Sequence, residues 1–200
     1  MRGSRSWLAL CALHGVASMV LWWSQETAVQ ALVWRSAEWH QEPWTLWTSA
    51  WVHLNTPHLV GNQLALGALT AAGWWLRPTR AATLAWALSW PLMQMSLVLW
   101  PLIGYAVGLS GVLHAGVAVL AVQLLLGGPR ALRPWGTFLM AGLLLKLWLE
   151  QGWARPVVWD PGNQMSVVQA AHLAGAAWGA CFGALGAGWT RWRARRRAGA

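Results

Sequence analysis

Serine, histidine and asparagine are the side chains in this sequence whose types and spacing can carry out chemistry. Ser110 sits between glycines in Gly108-Leu109-Ser110-Gly111. His172 stands in Ala171-His172-Leu-Ala-Gly175, and His58 and Asn62 close the run His53-Leu-Asn-Thr-Pro-His58-Leu-Val-Gly-Asn62. A serine hydroxyl is a weak nucleophile until a base takes its proton, and histidine is the usual base. Gly108 and Gly111 permit an unusual backbone and close approach at Ser110. The amide of Ser110, at a loop-to-helix junction, is an unsatisfied helix N-terminal donor open to an oxyanion. His58 and Asn62 are four residues apart, share a helix face, and both can donate hydrogen bonds to that oxyanion. The chemistry implied is acyl transfer by an activated serine.

Each of these residues opens an apolar segment. The chain has 200 residues, of which 57% are hydrophobic and 10% charged, against about 25% charged in ordinary soluble domains. Six apolar segments run roughly over residues 7–23, 58–76, 81–99, 110–127, 131–149 and 167–189, each near the ~20 residues a bilayer core requires. An open sheet cannot satisfy its backbone in lipid, so the expected fold class is an all-α membrane protein of six transmembrane helices. Trp90-Pro91 should kink the third. A cleaved signal peptide is the alternative for the first segment, but the bulky Leu21-Trp22-Trp23 offers no small-residue cleavage site.

Charge sets the expected orientation. Eleven of the 14 basic residues fall on one side: Arg2, Arg5, Arg77, Arg80, Arg130, Arg133, Arg191, Arg193, Arg195, Arg196 and Arg197. Arg35, Lys146 and Arg155 fall on the other, with all five acids: Glu26, Glu38, Glu42, Glu150 and Asp160. The positive-inside rule then makes both termini cytoplasmic. The net charge of +9 and pI near 11.7 reflect these short anchors. The basic tail over residues 190–200 is expected to meet anionic lipid head groups rather than nucleic acid. The 20 tryptophans suit membrane interfaces, and the loop 24–57, holding Trp34, Trp39, Trp44, Trp47 and Trp51, is expected to lie there. Cys11 and Cys181 both fall in apolar segments, which argues against a disulfide framework or zinc site. The organisation is one domain over residues 1–200.

On this topology segments two, four and six all run from outside to inside. Their polar residues therefore share a depth, His172 lying about 7–8 Å into its helix at ~1.5 Å per residue. Segment six carries Ala171, Gly175, Gly179, Gly183 and Ala187, a small residue every fourth position, and segment four offers Gly111 and Ala115. Such stripes allow close helix packing in membranes, which would bring His172 to Ser110. Gly-x-Ser-Gly alone is weak, a glycine stripe alone says only that a helix is packed, and a lone membrane histidine is often simply hydrogen-bonded. The ordered combination carries the signal. His53 is expected to be structural, bonding loop backbone, while His14 and His40 have no evident partner.

Over nearly the whole chain this order of helices and motifs resembles the rhomboid family of intramembrane serine proteases. The resemblance implies a catalytic dyad of Ser110 and His172 with no acid, and an oxyanion hole of His58, Asn62 and the Ser110 amide, with Gly108, Gly111 and Gly175 supporting. The absence of an acid inside any apolar segment agrees with a dyad. Two departures stand out. Trp44-Thr45 occupies the place where many rhomboids have Trp-Arg. His114 replaces the tyrosine four residues after the serine, and is read as a packing substitute, with orientation of His172 or a water as the alternative. Compact size, the Gly-Leu-Ser-Gly-Val-Leu-His114 run and Lys146…Glu150-Gln151 look more like the rhombosortase subfamily. That implies a multi-pass protein of the bacterial inner membrane that removes a Gly-Gly-type C-terminal anchor from exported proteins. It implies membrane-anchored substrates, no nucleic acid, no metal and no cofactor. The alternatives are a general rhomboid protease cutting other single-span proteins, a pseudoprotease, and a haem-binding membrane protein; the last lacks a Trp-Gly-x-Trp run.

Overall fold

The computed structural model describes residues 2–24, 29–162 and 164–198. Glu26, Asn163 and Ala200 lie outside the described residues, as do the side chains of Arg2 and Arg197. Six long helices form the bundle: α1 (Arg2–Trp22), α2 (Thr56–Leu76), α3 (Arg80–Ser96), α4 (Ser110–Leu126), α5 (Arg133–Glu150) and α6 (Gln169–Ala198). Among the described residues, three helical stretches, Ser4–Trp22, Arg80–Leu99 and Gln169–Arg196, are long and apolar enough to cross a membrane, and α4 is a shorter apolar helix. α3 passes through Pro91, whose missing N–H removes one helical hydrogen bond.

α4 is apolar on every side and sits at the centre. Val112, Ala115, Ala118, Val119, Leu120 and Ala121 have no exposed surface, as expected of a helix without a polar face. α6, α5, α3 and α2 pack around it, while α1 packs on α2 and α3. Large apolar side chains instead point outward from the bundle, including Leu64, Trp74, Phe138, Trp148 and Leu185. Such an exposed apolar surface needs lipid or a partner to cover it.

The small-residue stripe does what its spacing predicts. A methyl at Gly175 would collide with the Gly111 carbonyl oxygen, and one at Gly179 with that of Ala115. A methyl at Gly111 would in turn lie 2.9 Å from the Ala171 carbonyl. The two backbones are thus in direct contact along the turns that carry Ser110 and His172.

The loop between α1 and α2 is folded rather than merely interfacial. Trp34 is fully buried and its strand β1 (Trp34–Arg35) pairs antiparallel with β2 (Tyr105–Ala106) just before Ser110. One helical turn (Thr45–Thr48) and a 3-10 turn (Ser49–Trp51) follow. Trp44 Nε1 donates to the Ala31 carbonyl (3.0 Å), and Thr45 Oγ1 to that of Glu42 (2.7 Å). The Trp44-Thr45 pair therefore bonds within the loop, where Arg35 also donates to the Gln30 carbonyl at 3.1 Å. His14 has partners that sequence reading did not supply: its Nδ1 accepts from Trp51 Nε1 at 3.1 Å, and its ring meets Trp86 and Trp90 edge-on or tilted. His40 lies 3.3 Å from the Gln41 amide nitrogen. A second hairpin, β3 (Val158–Asp160) with β4 (Met165–Val167), leads into α6. The helical tail runs nine residues past the apolar segment, with Arg196 over the Trp192 ring at 4.4 Å.

Candidate active site

Local sequence fixes each piece of the site. The Asn55 side chain accepts from the His58 amide (2.9 Å) and Pro57 occupies the first turn, so α2 starts just ahead of His58. A capped N-terminus with proline in its first turn is a strong helix start. Gly108 has φ of +103°, a conformation that side-chain-bearing residues rarely adopt. A methyl there would also lie 2.5 Å from His58 Nε2. Its amide donates to the Ser49 carbonyl at 3.0 Å. Gly108 thus turns the chain into α4 and lies flat on the His58 ring, and Ser110 becomes the first residue of the helix.

Ser110 and His172 meet. Ser110 Oγ and His172 Nε2 are 2.9 Å apart, across 62 residues of sequence. The other ring nitrogen, Nδ1, lies 2.9 Å from Glu150 Oε2. A carboxylate only accepts, so Nδ1 carries the proton and Nε2 presents its lone pair to the serine hydroxyl. This corrects the expectation that no acid accompanies the histidine. α5 extends through Glu150 as its last residue, and the carboxylate turns inward to His172. Its other oxygen accepts from Lys146 Nζ at 2.5 Å. In the sequence, Lys146 and Glu150 carry only a subfamily likeness. The available signal was an acid in the final turn of an apolar helix, at the same end of the bundle as Ser110.

His114 stacks on His172 with centroids 4.2 Å apart and planes 10° from parallel. Its Nδ1 donates to the Ser110 carbonyl oxygen at 2.7 Å. It therefore occupies the position of a stacked aromatic ring and is held by the same helix turn as the serine. Among the described residues, His114, Glu150 and His172 bring ligand atoms within 4.8 Å of one another. All three side chains already have protein partners: His114 with the Ser110 carbonyl, His172 with Ser110 and Glu150, and Glu150 with Lys146.

The opposite wall holds His58 and Asn62. Asn62 is buried, and its Nδ2 donates to His53 Nε2 at 3.1 Å. His53 Nδ1 donates to the Trp51 carbonyl at 3.0 Å, the loop-backbone role expected of it. Burial pushes the His53 imidazole down to about 4, so it stays a neutral acceptor for Asn62 at physiological pH. Its ring packs against that of His58 at 4.8 Å. His58 Nδ1 is buried without a hydrogen-bond partner among the described residues. A cavity of about 400 Å³ joins these walls, lined by His58, Asn62, Ser110, His172, Glu150 and Lys146. Tyr105 of β2 and Ser166 of β4 line its sides.

The family described as Rhomboid domain matches residues 40–189, a span that contains every residue of the cavity just named. A search of curated proteins finds no match.

Proposed function

The chain belongs to the rhomboid family, so it is a multi-pass membrane protein and an intramembrane serine protease, and from that premise we propose that Ser110 is its nucleophile and His172 its base. The single observation that carries this reading is the 2.9 Å approach of Ser110 Oγ to the unprotonated nitrogen of His172. Ser110 Oγ attacks a peptide carbonyl of the substrate while its proton passes to His172 Nε2. The tetrahedral oxyanion is received by the Ser110 amide, His58 and Asn62. His172 returns the proton to the leaving amine, and water, activated by the same histidine, releases the acyl-enzyme.

Rhomboid proteases act on membrane proteins within the bilayer. Six spanning helices, with both termini cytoplasmic in a bacterial inner membrane, are the arrangement favoured by the distribution of arginines. That orientation puts the Ser110 cavity at the outer face. A stable helix hides its carbonyls in hydrogen bonds, so a scissile bond needs a weak stretch. Glycine costs about 1 kcal/mol per residue in a helix, which makes a Gly-Gly pair at the outer boundary suitable. We therefore favour a rhombosortase-like role: removal of a C-terminal anchor made of Gly-Gly, an apolar helix and cytoplasmic arginines. Co-expression with such a protein, followed by mass spectrometry of its new C-terminus, tests this. Cleavage beside the small residues, lost on Ser110→Ala, is expected. A cut on the cytoplasmic side, or processing that survives Ser110→Ala, would defeat it.

A further inference from the structure

Glu150 is placed against its own helix. A carboxylate in the last turn opposes the helix dipole, and Lys146 preceding Glu150 by four residues is the weaker order for such a pair. Helix energetics therefore do not account for this acid. What it gains is His172, at 2.9 Å, with the histidine side chain 6% exposed and the glutamate 16% exposed.

The junction between α5 and α6 is built to keep that contact. Gln151 ends α5 in the left-handed conformation, φ 54°. A methyl at Gly152 would lie 2.6 Å from the Gln169 carbonyl oxygen, so this turn touches the start of α6 directly. The Gln169 amide, oriented to donate, bonds the carbonyl oxygens of Glu150 and of Arg155, the latter at 3.2 Å. Ala170 N donates to the Pro156 carbonyl at 3.1 Å. Two residues later comes His172. Lys146 holds the second oxygen of the carboxylate, leaving the first to face the ring.

We infer that Glu150 is a positioning residue of the proteolytic site, held by Lys146 and the α5–α6 junction, and that it orients His172 toward Ser110. The inference rests on the proposed roles of Ser110 and His172. Glu150 fixes the proton on Nδ1, so that Nε2 is free to take the serine proton. It also holds the ring plane between serine and carboxylate, with His114 stacked on its face. When Nε2 is protonated, the carboxylate faces the imidazolium directly. The site is then a relay of three residues rather than two, its acid drawn from a different helix than either partner. The proton passes from Ser110 to His172 and on to the leaving amine; the carboxylate accepts a hydrogen bond throughout.

The test compares Glu150→Gln and Glu150→Asp with wild type in proteoliposomes. Glutamine is the same size but offers an amide that can favour the wrong tautomer. Its kcat should fall between about tenfold and 10⁴-fold with KM unchanged. Aspartate keeps the charge and should restore part of kcat. A downfield proton resonance from His172 Nδ1–H should be present in wild type and absent in Glu150→Gln. A Glu150→Gln kcat within twofold of wild type, aspartate no better than glutamine, or absence of that resonance from the wild-type protein would each overturn the inference. The resonance decides the matter even if a variant fails to fold. Ser110→Ala and His172→Ala, run alongside, separate the two readings. Activity in either defeats the proposed nucleophile and base, whereas loss in both with full activity in Glu150→Gln defeats only the role of Glu150.

Discussion

Gly175→Ala probes the packing that brings Ser110 to His172 without touching either. The new methyl would be driven into the Gly111 carbonyl oxygen, and that atom is backbone, with no rotamer to yield. Even partial relief of that clash requires α4 and α6 to part by roughly 1 Å. Gly175 lies three residues beyond His172, and Gly111 next to Ser110, so the separation falls on the proposed catalytic pair. Their 2.9 Å approach would stretch to about 3.9 Å, beyond hydrogen-bond range. A 1 Å misplacement costs about 10²-fold in rate. Stability should change less. Overpacking costs about 1–3 kcal/mol, and replacing a helical glycine by alanine returns about 1 kcal/mol. Gly188→Ala is the control, the same chemical change in the same helix with no atom within 4 Å of the added methyl. The assay is turnover of a single-span fluorogenic substrate in proteoliposomes, with thermal melting in detergent beside it. Turnover in Gly175→Ala equal to that in Gly188→Ala would refute the claim that this contact sets the catalytic distance.

Other outcomes follow from the opposite wall and from charge. His58→Ala and Asn62→Ala should each lower turnover about 10²–10³-fold with a smaller effect on KM; normal turnover in both would mean that the oxyanion is held elsewhere. Gly108→Ala must adopt a positive φ and press on His58, which should cost about 1–3 kcal/mol in melting experiments and reduce turnover; an unchanged melting temperature would contradict that. A reporter fused after Ala200 should read as cytoplasmic and one inserted near Asn163 as external; an external C-terminus would undo the orientation argument.

Much of this arrangement is legible in the sequence because it is local. His58 and Asn62 fall in the first turns of α2 and Ser110 opens α4, as read, and glycines four apart mark the face of α6 that meets α4. The features that escaped are long-range. Trp34 reads as an interface residue, yet it is buried because β1 pairs with β2 some seventy residues later. His14 reads as unpartnered, because its tryptophans come from the first loop and from α3. Glu150 reads only as one of five acids on the outer side and, with Lys146, as part of a subfamily likeness. Its approach to His172 depends on the β3–β4 hairpin folding back so that the end of α5 touches the start of α6, a closure that no local spacing encodes. The basic tail reads as a lipid-facing anchor of no stated conformation, and it continues α6 as helix.

The most direct measurement is covalent labelling of the reconstituted protein with a fluorophosphonate, with the adduct located by peptide mass spectrometry. Ser110 is predicted to be the modified residue, with labelling abolished in His172→Ala although the variant remains folded. An adduct on another serine, or labelling of Ser110 at the wild-type rate without His172, would contradict the account.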